Sequence, residues 1–276
     1  MAESDGHREG LRFVSADRIS TDDAAPRSQT EKVCVIVETP LTIDVEGVET
    51  YTTLCTPTDR QALAVGFLFT EGVIDHRDDI AVLKMCDDDS DTIRVRLVDP
   101  VPRIDDPGRN LLIVSSCGAC GSEQLTERIE ALPPVGDTLR IEAGLLRTVL
   151  DSLGNRQPLF EVSGAAHAAL VFDAGGSIVS WAEDAGRHNA LDKAIGKCLL
   201  AGIQTAGLGV LLTSRLSLEM VSKCARGGIE LVAGVSAATS LAIEVARTCN
   251  ITLCAFVRET RATVFTHPQR IVRPGE

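Results

Sequence analysis

Three short apolar runs decide the fold of this chain: Gly-Leu-Gly-Val-Leu-Leu at 207–212, Glu-Leu-Val-Ala-Gly-Val at 230–235 and Thr-Leu-Cys-Ala-Phe-Val at 252–257. The segments between them, 216–226 and 238–248, carry apolar residues at helical spacing. Strands that are apolar on both faces are typical of a largely parallel sheet with helices on either side. The sequence therefore predicts an α/β domain with three layers: helix, sheet and helix.

The rest of the chain extends this pattern in both directions. A helix is predicted over 187–200, and two strands around a Gly-Gly turn form a hairpin within 167–181. Further upstream, short alternating strands and one helix predict a second, smaller β-rich α+β domain over 31–110. The α/β domain then occupies 111–276.

Composition argues against several classes of protein. The chain has 276 residues and a net charge of −12, so it lacks the basic field that nucleic acid requires. It contains no run of apolar residues long enough to span a membrane. Residues 1–30 are polar and lack the apolar centre of a signal peptide, which predicts a disordered leader and a cytoplasmic protein. The nine cysteines are then expected in a reducing compartment, without a disulfide framework.

Two of these cysteines stand close together in Ser115-Ser116-Cys117-Gly118-Ala119-Cys120-Gly121-Ser122. The small residues around Cys117 and Cys120 leave both thiols room to be exposed and mobile. The pair fits a zinc site, a dithiol redox site or a persulfide carrier, in which a thiolate accepts a sulfur atom and passes it on. A second Cys-x-x-Cys pair that would complete a zinc site is absent from the sequence. Spacing alone does not choose among these interpretations, and a plain loop is a fourth.

A second group of polar residues lies in Glu183-Asp184-Ala185-Gly186-Arg187-His188-Asn189-Ala190-Leu191-Asp192-Lys193. A helix begins near Gly186, so Arg187 and His188 fall in its first turn, where the helix dipole favours negative side chains. Cations at this position are explained if an anion binds the free amide groups. The structural alternative is that His188 pairs with Asp192 one turn later.

Two further junctions between a strand and a helix carry hydroxyl and guanidinium groups. Thr213-Ser214-Arg215 follows the first apolar run, and Ser236 with Thr239-Ser240 follows the second. Helix capping explains each junction singly, but all of them lie beyond the carboxyl edge of a parallel sheet, where ligands bind. With Arg258 and Arg261 after the third run, they predict a pocket for phosphate groups. The alternative for both arginines is surface salt bridging.

Taken in order, these motifs resemble those of the formate dehydrogenase accessory sulfurtransferase FdhD family. The matching segments are Ser115 to Gly121, Glu183 to Gly196, Thr213 to Val221, Val235 to Ala242 and Phe256 to Arg261. The resemblance runs from about residue 33 to the end of the chain. It implies a fold similar to cytidine deaminase with an added small domain, assembled as a homodimer.

The resemblance also implies an activity, that of a cytoplasmic sulfur carrier. Such a protein accepts persulfide sulfur from a cysteine desulfurase. It passes the sulfur to the bis-molybdopterin guanine dinucleotide molybdenum cofactor, bound as a substrate, before that cofactor enters formate dehydrogenase. No metal site, nucleic acid or membrane is expected. The alternatives are a non-catalytic cofactor chaperone and, from fold resemblance only, a zinc-dependent deaminase.

Residue roles are carried over on the matched motifs. Cys117 matches the persulfide-forming cysteine and Cys120 its companion. The segment that matches the family's cofactor-binding residues consists of Phe256, Val257, Arg258, Glu259, Thr260 and Arg261. Arg187, His188, Ser214 and Arg215 join them as cofactor-binding residues because of their place at the predicted sheet edge.

One motif departs from the family pattern. Where the family has Thr-Gly-Gly-x-His-Ala-Ala, this chain has Ser163-Gly-Ala-Ala-His-Ala-Ala169. The second glycine is Ala165, so a role that needs close backbone approach at this position is not carried over. His167, a lone histidine before an apolar strand, is interpreted as a structural residue.

Overall fold

A computed structural model describes residues 9–21, 28–86, 89–99 and 129–272 of the chain. Its strands are β1 (Leu11–Ile19), β2 (Ser28–Ile36), β3 (Thr39–Val45), β4 (Glu49–Cys55), β5 (Ile80–Met85), β6 (Thr92–Leu97), β7 (Ile141–Glu142), β8 (His167–Phe172), β9 (Ile178–Asp184), β10 (Gly209–Leu212), β11 (Leu231–Gly234), β12 (Thr252–Ala255), β13 (Thr263–Val264) and β14 (Ile271–Val272). Its helices are α1 (Arg60–Thr70), α2 (Leu145–Gly154), α3 (Pro158–Ser163), α4 (Arg187–Leu200), α5 (Leu218–Arg226) and α6 (Ser240–Thr248). Among the described helices, none combines the length and apolar content that a membrane crossing needs.

The largest sheet has six strands in the order β13-β12-β11-β10-β8-β9. Strands β10, β11 and β12 are parallel to one another. The antiparallel hairpin β8-β9 is added beside β10, and β13 is added antiparallel to β12. The parallel strands lie within the three apolar runs, and every residue in them is buried. The predicted hairpin and parallel strands are therefore confirmed.

Helices cover both faces of this sheet. One face, which includes Val210 and Leu253, packs in a core with α4, α5 and α6. The other face, which includes Leu211 and Cys254, packs in a second core with α2. Neighbouring residues of one strand point into different cores because side chains alternate across a sheet. The predicted three-layer α/β/α arrangement is confirmed.

The smaller β-rich unit is a four-stranded sheet in the order β4-β3-β6-β5, with α1 packed against it. β3 and β6 are parallel, and the two outer strands run antiparallel to them. Buried residues of this sheet, such as Leu41 and Ile93, belong to the same core as α4 and the large sheet. One continuous core therefore joins the two units. The predicted boundary at residue 110 lies outside the described residues.

Helices α1 and α4 cross so closely that each must have a glycine at the contact. A Cβ atom at Gly66 would lie 1.9 Å from the backbone oxygen of Asp192. A Cβ atom at Gly196 would lie 1.9 Å from the backbone oxygen of Ala62. Both distances are far below van der Waals contact, so only glycine lets the two backbones approach in this way.

Strands β1 and β2 pair with each other as a nine-residue antiparallel ribbon. The predicted disorder of residues 1–30 does not hold for β1. Leu11 anchors the ribbon by packing on Leu159 of α3. Arg18, a charged residue of that leader, forms a 2.8 Å salt bridge across the ribbon with Glu31.

The short helix α3 escapes prediction because six residues are too few to show helical spacing. It begins with Pro158, which suits the first helical position. The backbone amides of Leu159 and Phe160 both donate to the carboxylate of Glu183, each at 2.9 Å. A buried carboxylate from β9 therefore caps this helix, and sequence spacing does not show such a distant partner.

We expect Gly196→Ala to destabilise the protein by about 3 kcal/mol, because the added methyl group forces the α1–α4 crossing apart. Gly154→Ala is the matched control, since a Cβ atom at Gly154 meets no atom within 4 Å. Urea denaturation of both variants measures the effect. Equal stability of the two variants would show that the crossing is not tightly constrained.

Candidate functional site

The carboxyl edge of the large sheet brings together loops that are far apart in sequence. The loop after β10 and the loop after β11 are joined by a bridge between Leu216 and Ala238. The amide of Phe256, just after β12, donates to the carbonyl of Ser236 at 3.1 Å. Since β8 runs antiparallel to β10, its first residue, His167, reaches the same edge, and so does the end of β9. The edge is therefore one continuous surface.

Helix α4 begins at this edge with its first amide groups free of a capping side chain. Its N-cap is Gly186, which has no side chain to accept from the helix amides. Arg187 and His188 form the first turn, as predicted. Nε of Arg187 and Nε2 of His188 are buried, and neither has a hydrogen-bond partner among the described residues. Uncapped amides and these two unpaired nitrogens therefore lie together at the start of α4.

His188 is held as a neutral imidazole. Burial, helped by the positive charges of Arg187 and Lys223, lowers the pKa of His188 to about 4. The alternative pairing of His188 with Asp192 is not formed. The carboxylate of Asp192 instead accepts from Lys223 at 2.9 Å and from Thr70 at 2.8 Å. His188 therefore forms no structural ion pair with Asp192, its neighbour one turn later on the helix.

His167 lies at the same edge, although its position before an apolar strand predicts a structural residue. Its Nδ1 atom lies 3.4 Å from the hydroxyl of Thr213, the residue directly after β10. Burial and the nearby charge of Arg187 lower the pKa of His167, whereas the Asp184 carboxylate opposes that shift. The available signal was the antiparallel direction of β8, which places the start of that strand beside the end of β10. His167 and Thr213 therefore belong with the candidate site.

The loop after β10 uses its predicted residues differently. Ser214 is buried, and its hydroxyl donates to the carbonyl of Arg215 at 3.1 Å. The Arg215 side chain is exposed at the edge. Ser214 therefore shapes the loop, and Arg215 is available to a ligand.

The segment Phe256–Arg261 is not uniform in its environment. Phe256 has a left-handed backbone with φ of 54°, and its ring is exposed. Val257 is buried in the core on the α2 side. The Arg258 guanidinium donates to the carbonyls of Val235 and Val257, which fastens this segment to the loop after β11. Glu259, Thr260 and Arg261 are exposed. Four residues of the segment thus have accessible side chains that are not tied to the neighbouring loop: Phe256, Glu259, Thr260 and Arg261.

Beneath the edge, a buried ion pair fixes the start of α4. Lys193 and Asp184 are both fully buried, with 2.6 Å between Nζ and the carboxylate. The same carboxylate accepts from the amides of Gly186, at 2.8 Å, and Thr56, at 3.0 Å. Lys193 also donates to the Thr56 carbonyl at 2.9 Å. Thr56 belongs to the smaller unit, so these contacts lock the two units together directly under the candidate site.

The cysteines that the structure describes differ in exposure. Five are buried: Cys55, Cys198, Cys224, Cys249 and Cys254. Burial raises the pKa of each of these thiols, to about 11 for Cys55 and to about 12 for Cys254. A thiol that resists ionisation is a poor nucleophile. Cys34 and Cys86 are half-buried, and the predicted Cys117 and Cys120 lie outside the described residues.

Within the described residues, no group of three histidine, cysteine or acidic side chains could hold a metal ion. The cationic and hydroxyl groups at the carboxyl edge instead match the chemistry of an anionic ligand.

Comparison with known proteins gives consistent matches. A sequence model of the FdhD/NarQ family matches residues 36–272. The chain is 39% identical over 240 residues to the sulfur carrier protein FdhD of Bordetella bronchiseptica, covering 86% of this chain and 87% of that protein. It is 37% identical over 248 residues to the sulfur carrier protein FdhD of Xanthomonas campestris pv. campestris, covering 89% and 88%. A crystal structure of a candidate formate dehydrogenase accessory protein from Desulfotalea psychrophila shares the fold, with a TM-score of 0.75, 24% identity and coverage of 94% and 99%.

We expect acid to destabilise the protein through His188. The unfolded chain takes up this proton below its ordinary pKa of about 6.5, whereas the folded chain resists until about pH 4. Stability from the neutral imidazole is therefore complete above that window and is lost as pH falls through it. The wild type should lose about 2 kcal/mol more than His188→Gln over this range.

Urea denaturation at a series of pH values measures this difference. His76→Gln is the control, because His76 is exposed on the smaller unit. Parallel stability curves for the wild type and His188→Gln would contradict the burial of a neutral His188.

Proposed function

The chain belongs to the FdhD/NarQ family, and from that membership we propose that it is a sulfur carrier in the maturation of formate dehydrogenase. It accepts persulfide sulfur from a cysteine desulfurase. It delivers this sulfur to the bis-molybdopterin guanine dinucleotide molybdenum cofactor, held as a substrate, before the cofactor enters formate dehydrogenase. It acts as a homodimer in the cytoplasm.

The start of α4 supports the cofactor part of this proposal most directly. Uncapped amides, the buried unpaired nitrogens of Arg187 and His188, and the exposed Arg215 and Arg261 meet at one sheet edge. The substrate carries phosphate groups, which bind well to helix N-termini and to guanidinium groups. The protein has a net charge of −12, so a local cationic site is what allows an anion to bind at all.

The sulfur step is assigned to Cys117 and Cys120. The Cys117 thiolate attacks the terminal sulfur of the desulfurase persulfide, forms a Cys117 persulfide and releases the desulfurase thiolate. The Cys120 thiol then attacks Sγ of Cys117. This forms a Cys117–Cys120 disulfide and releases the terminal sulfur as hydrosulfide, at the oxidation level of a sulfide ligand for molybdenum. A cytoplasmic thiol reductant restores the dithiol.

The environments of the other cysteines support this assignment. The five buried thiols have raised pKa values and offer no accessible thiolate to a partner enzyme. Of the described cysteines, only Cys34 and Cys86 are partly accessible, and neither has a neighbouring cysteine in sequence that could act as a resolving thiol.

We expect Cys117→Ala to abolish persulfide formation after incubation with a cysteine desulfurase and cysteine. Mass spectrometry of the intact protein and its peptides detects the added mass of one sulfur atom. Cys120→Ala should still form the persulfide but fail to release hydrosulfide. Cys34→Ala and Cys86→Ala are the controls and should behave as the wild type. A wild-type protein that never gains sulfur, yet supports formate dehydrogenase, would favour the non-catalytic chaperone.

We expect Arg187→Ala to weaken binding of guanosine diphosphate, a probe for the nucleotide half of the cofactor, by roughly tenfold to a hundredfold. Calorimetric titration measures the dissociation constants. Arg94→Ala is the control, because Arg94 is an exposed guanidinium on the smaller sheet. Unchanged affinity in Arg187→Ala would exclude the start of α4 as the phosphate site while leaving sulfur transfer untouched.

A further inference from the structure

Helices α4 and α5 start side by side at the candidate edge. Strands β9 and β10 run in the same direction, because each is antiparallel to β8. The helices that follow these strands, α4 and α5, pack in the same core on one face of the sheet. Nζ of Lys223 on α5 lies 2.9 Å from the carboxylate of Asp192 on α4, which fixes the alignment of the two helices.

This alignment places Glu219 of α5 against His188 of α4. Each of them lies four positions before a member of the ion pair, which is one helical turn closer to the edge. The electrostatics agree with this placement. Burial, followed by the charges of Arg187 and Lys223, lowers the pKa of His188, whereas the Glu219 carboxylate acts in the opposite direction. A half-buried carboxylate therefore stands in the wall of the candidate site.

Glu219 keeps its charge in this position. Burial raises the pKa of Glu219, but the Ser217 hydroxyl, the backbone amide of Glu219 and the neighbouring His188 and Arg187 outweigh burial, so the pKa is lowered. The first turn of α5 also favours an acidic side chain through the helix dipole. The side chain is therefore a carboxylate at neutral pH.

The neighbouring cations leave this charge without an ion-pair partner among the described residues. Lys223 pairs with Asp192 and with Glu71 instead, at 2.9 Å and 2.7 Å. His188 is neutral and does not balance the charge. A carboxylate here repels a phosphate group that approaches the start of α4. A ligand that binds at this edge must therefore offset the repulsion by donating hydrogen bonds to Glu219.

The cofactor of the proposed function carries donors of the required kind. Guanine and pterin rings share an edge on which a ring N–H and the neighbouring exocyclic amino group point in the same direction. These two donors match the two oxygens of a carboxylate, as the paired N–H groups of a guanidinium do. Hypoxanthine keeps the ring N–H but lacks the amino group, so it satisfies only half of this contact.

We propose that Glu219 is a specificity-determining residue, whose carboxylate accepts from the ring N–H and the exocyclic amino group of a guanine or pterin ring. Arg187 and the first amides of α4 hold a phosphate of the same ligand. The assignment rests on the cofactor part of the proposed function and is independent of sulfur transfer. A site built to hydrogen-bond such donors rejects a ring that lacks one, because a charged group is then left partly unsatisfied.

The test is calorimetric titration of the full chain with guanosine diphosphate and inosine diphosphate, which differ only in the exocyclic amino group. The wild type should bind guanosine diphosphate roughly tenfold to a hundredfold more tightly. In Glu219→Gln the two affinities should agree within about threefold, because the amide group of glutamine offers one acceptor instead of two. A change in folding or in overall charge shifts both affinities together, so their ratio reports the contact with the ring.

Glu244→Gln is the matched control, because it removes an exposed carboxylate from a neighbouring helix of the same unit, α6. It should keep the wild-type preference. Inorganic pyrophosphate probes the phosphate contact alone. Its affinity should fall in Arg187→Ala but not in Glu219→Gln, and pyrophosphate binding that ignores Arg187 would contradict the phosphate site rather than the role of Glu219.

Neopterin, a pterin without a phosphate group, distinguishes the two rings. Neopterin binding that is lost in Glu219→Gln, without a preference between the nucleotides, would assign the carboxylate to the pterin. The proposal is overturned if the wild type binds both nucleotides equally and does not bind neopterin. It is also overturned if folded Glu219→Gln keeps both the nucleotide preference and the neopterin affinity of the wild type.

Discussion

The close crossing of α1 and α4 is the constraint on which the rest of the structure depends. Gly66 and Gly196 let the two backbones touch. Buried polar contacts join the two units near this crossing: Lys223 pairs with Glu71 of the smaller unit at 2.7 Å, and Lys193 donates to the Thr56 carbonyl at 2.9 Å. Loosening the crossing would take Glu71 from Lys223 and the Thr56 carbonyl from Lys193, and losing a partner of a buried charge is among the most costly changes a core can undergo. The smaller unit is therefore packed firmly against the α/β unit and does not form a separate domain.

The same constraint places the candidate site. Asn189, Lys193 and Gly196 recur at helical spacing on the face of α4 that meets the smaller unit. Arg187 and His188 precede this face and lie in the first turn, at the sheet edge. A single helix thus holds the two units together with one set of side chains and presents the Arg187 guanidinium and the neutral His188 imidazole with another. This explains why candidate binding residues and structural residues lie so close together at the start of α4.

Sequence patterns predict the large sheet well, because buried strands and amphipathic helices have distinct periodicities. The carboxyl edge follows from topology, so the places of Arg187, His188 and Arg215 were predictable. His167 was not, since its role depends on strand direction rather than on its neighbours in sequence. The ribbon and α3 depend on contacts between distant segments, such as Glu183 with the amides of α3. Residues within one family motif also differ in burial. Val257 lies in the core, although it belongs to the segment matched to cofactor binding.

The contrast between paired and unpaired buried nitrogens gives the edge its chemical character. Buried Lys193, Lys223 and Arg270 each contact a buried carboxylate, on Asp184, Asp192 and Glu230 respectively. At the edge, Arg187 and His188 differ, because each keeps a buried nitrogen without a partner among the described residues, as do Arg60 on α1 and Arg226 on α5.

Leaving such a group unsatisfied costs about 1–3 kcal/mol, and no acceptor in the described part of the chain recovers it. An anion at the start of α4 would supply that acceptor and would add stability to the folded state by mass action. The folded protein is therefore less stable with this edge empty than with an anion bound there. That is expected of a binding surface.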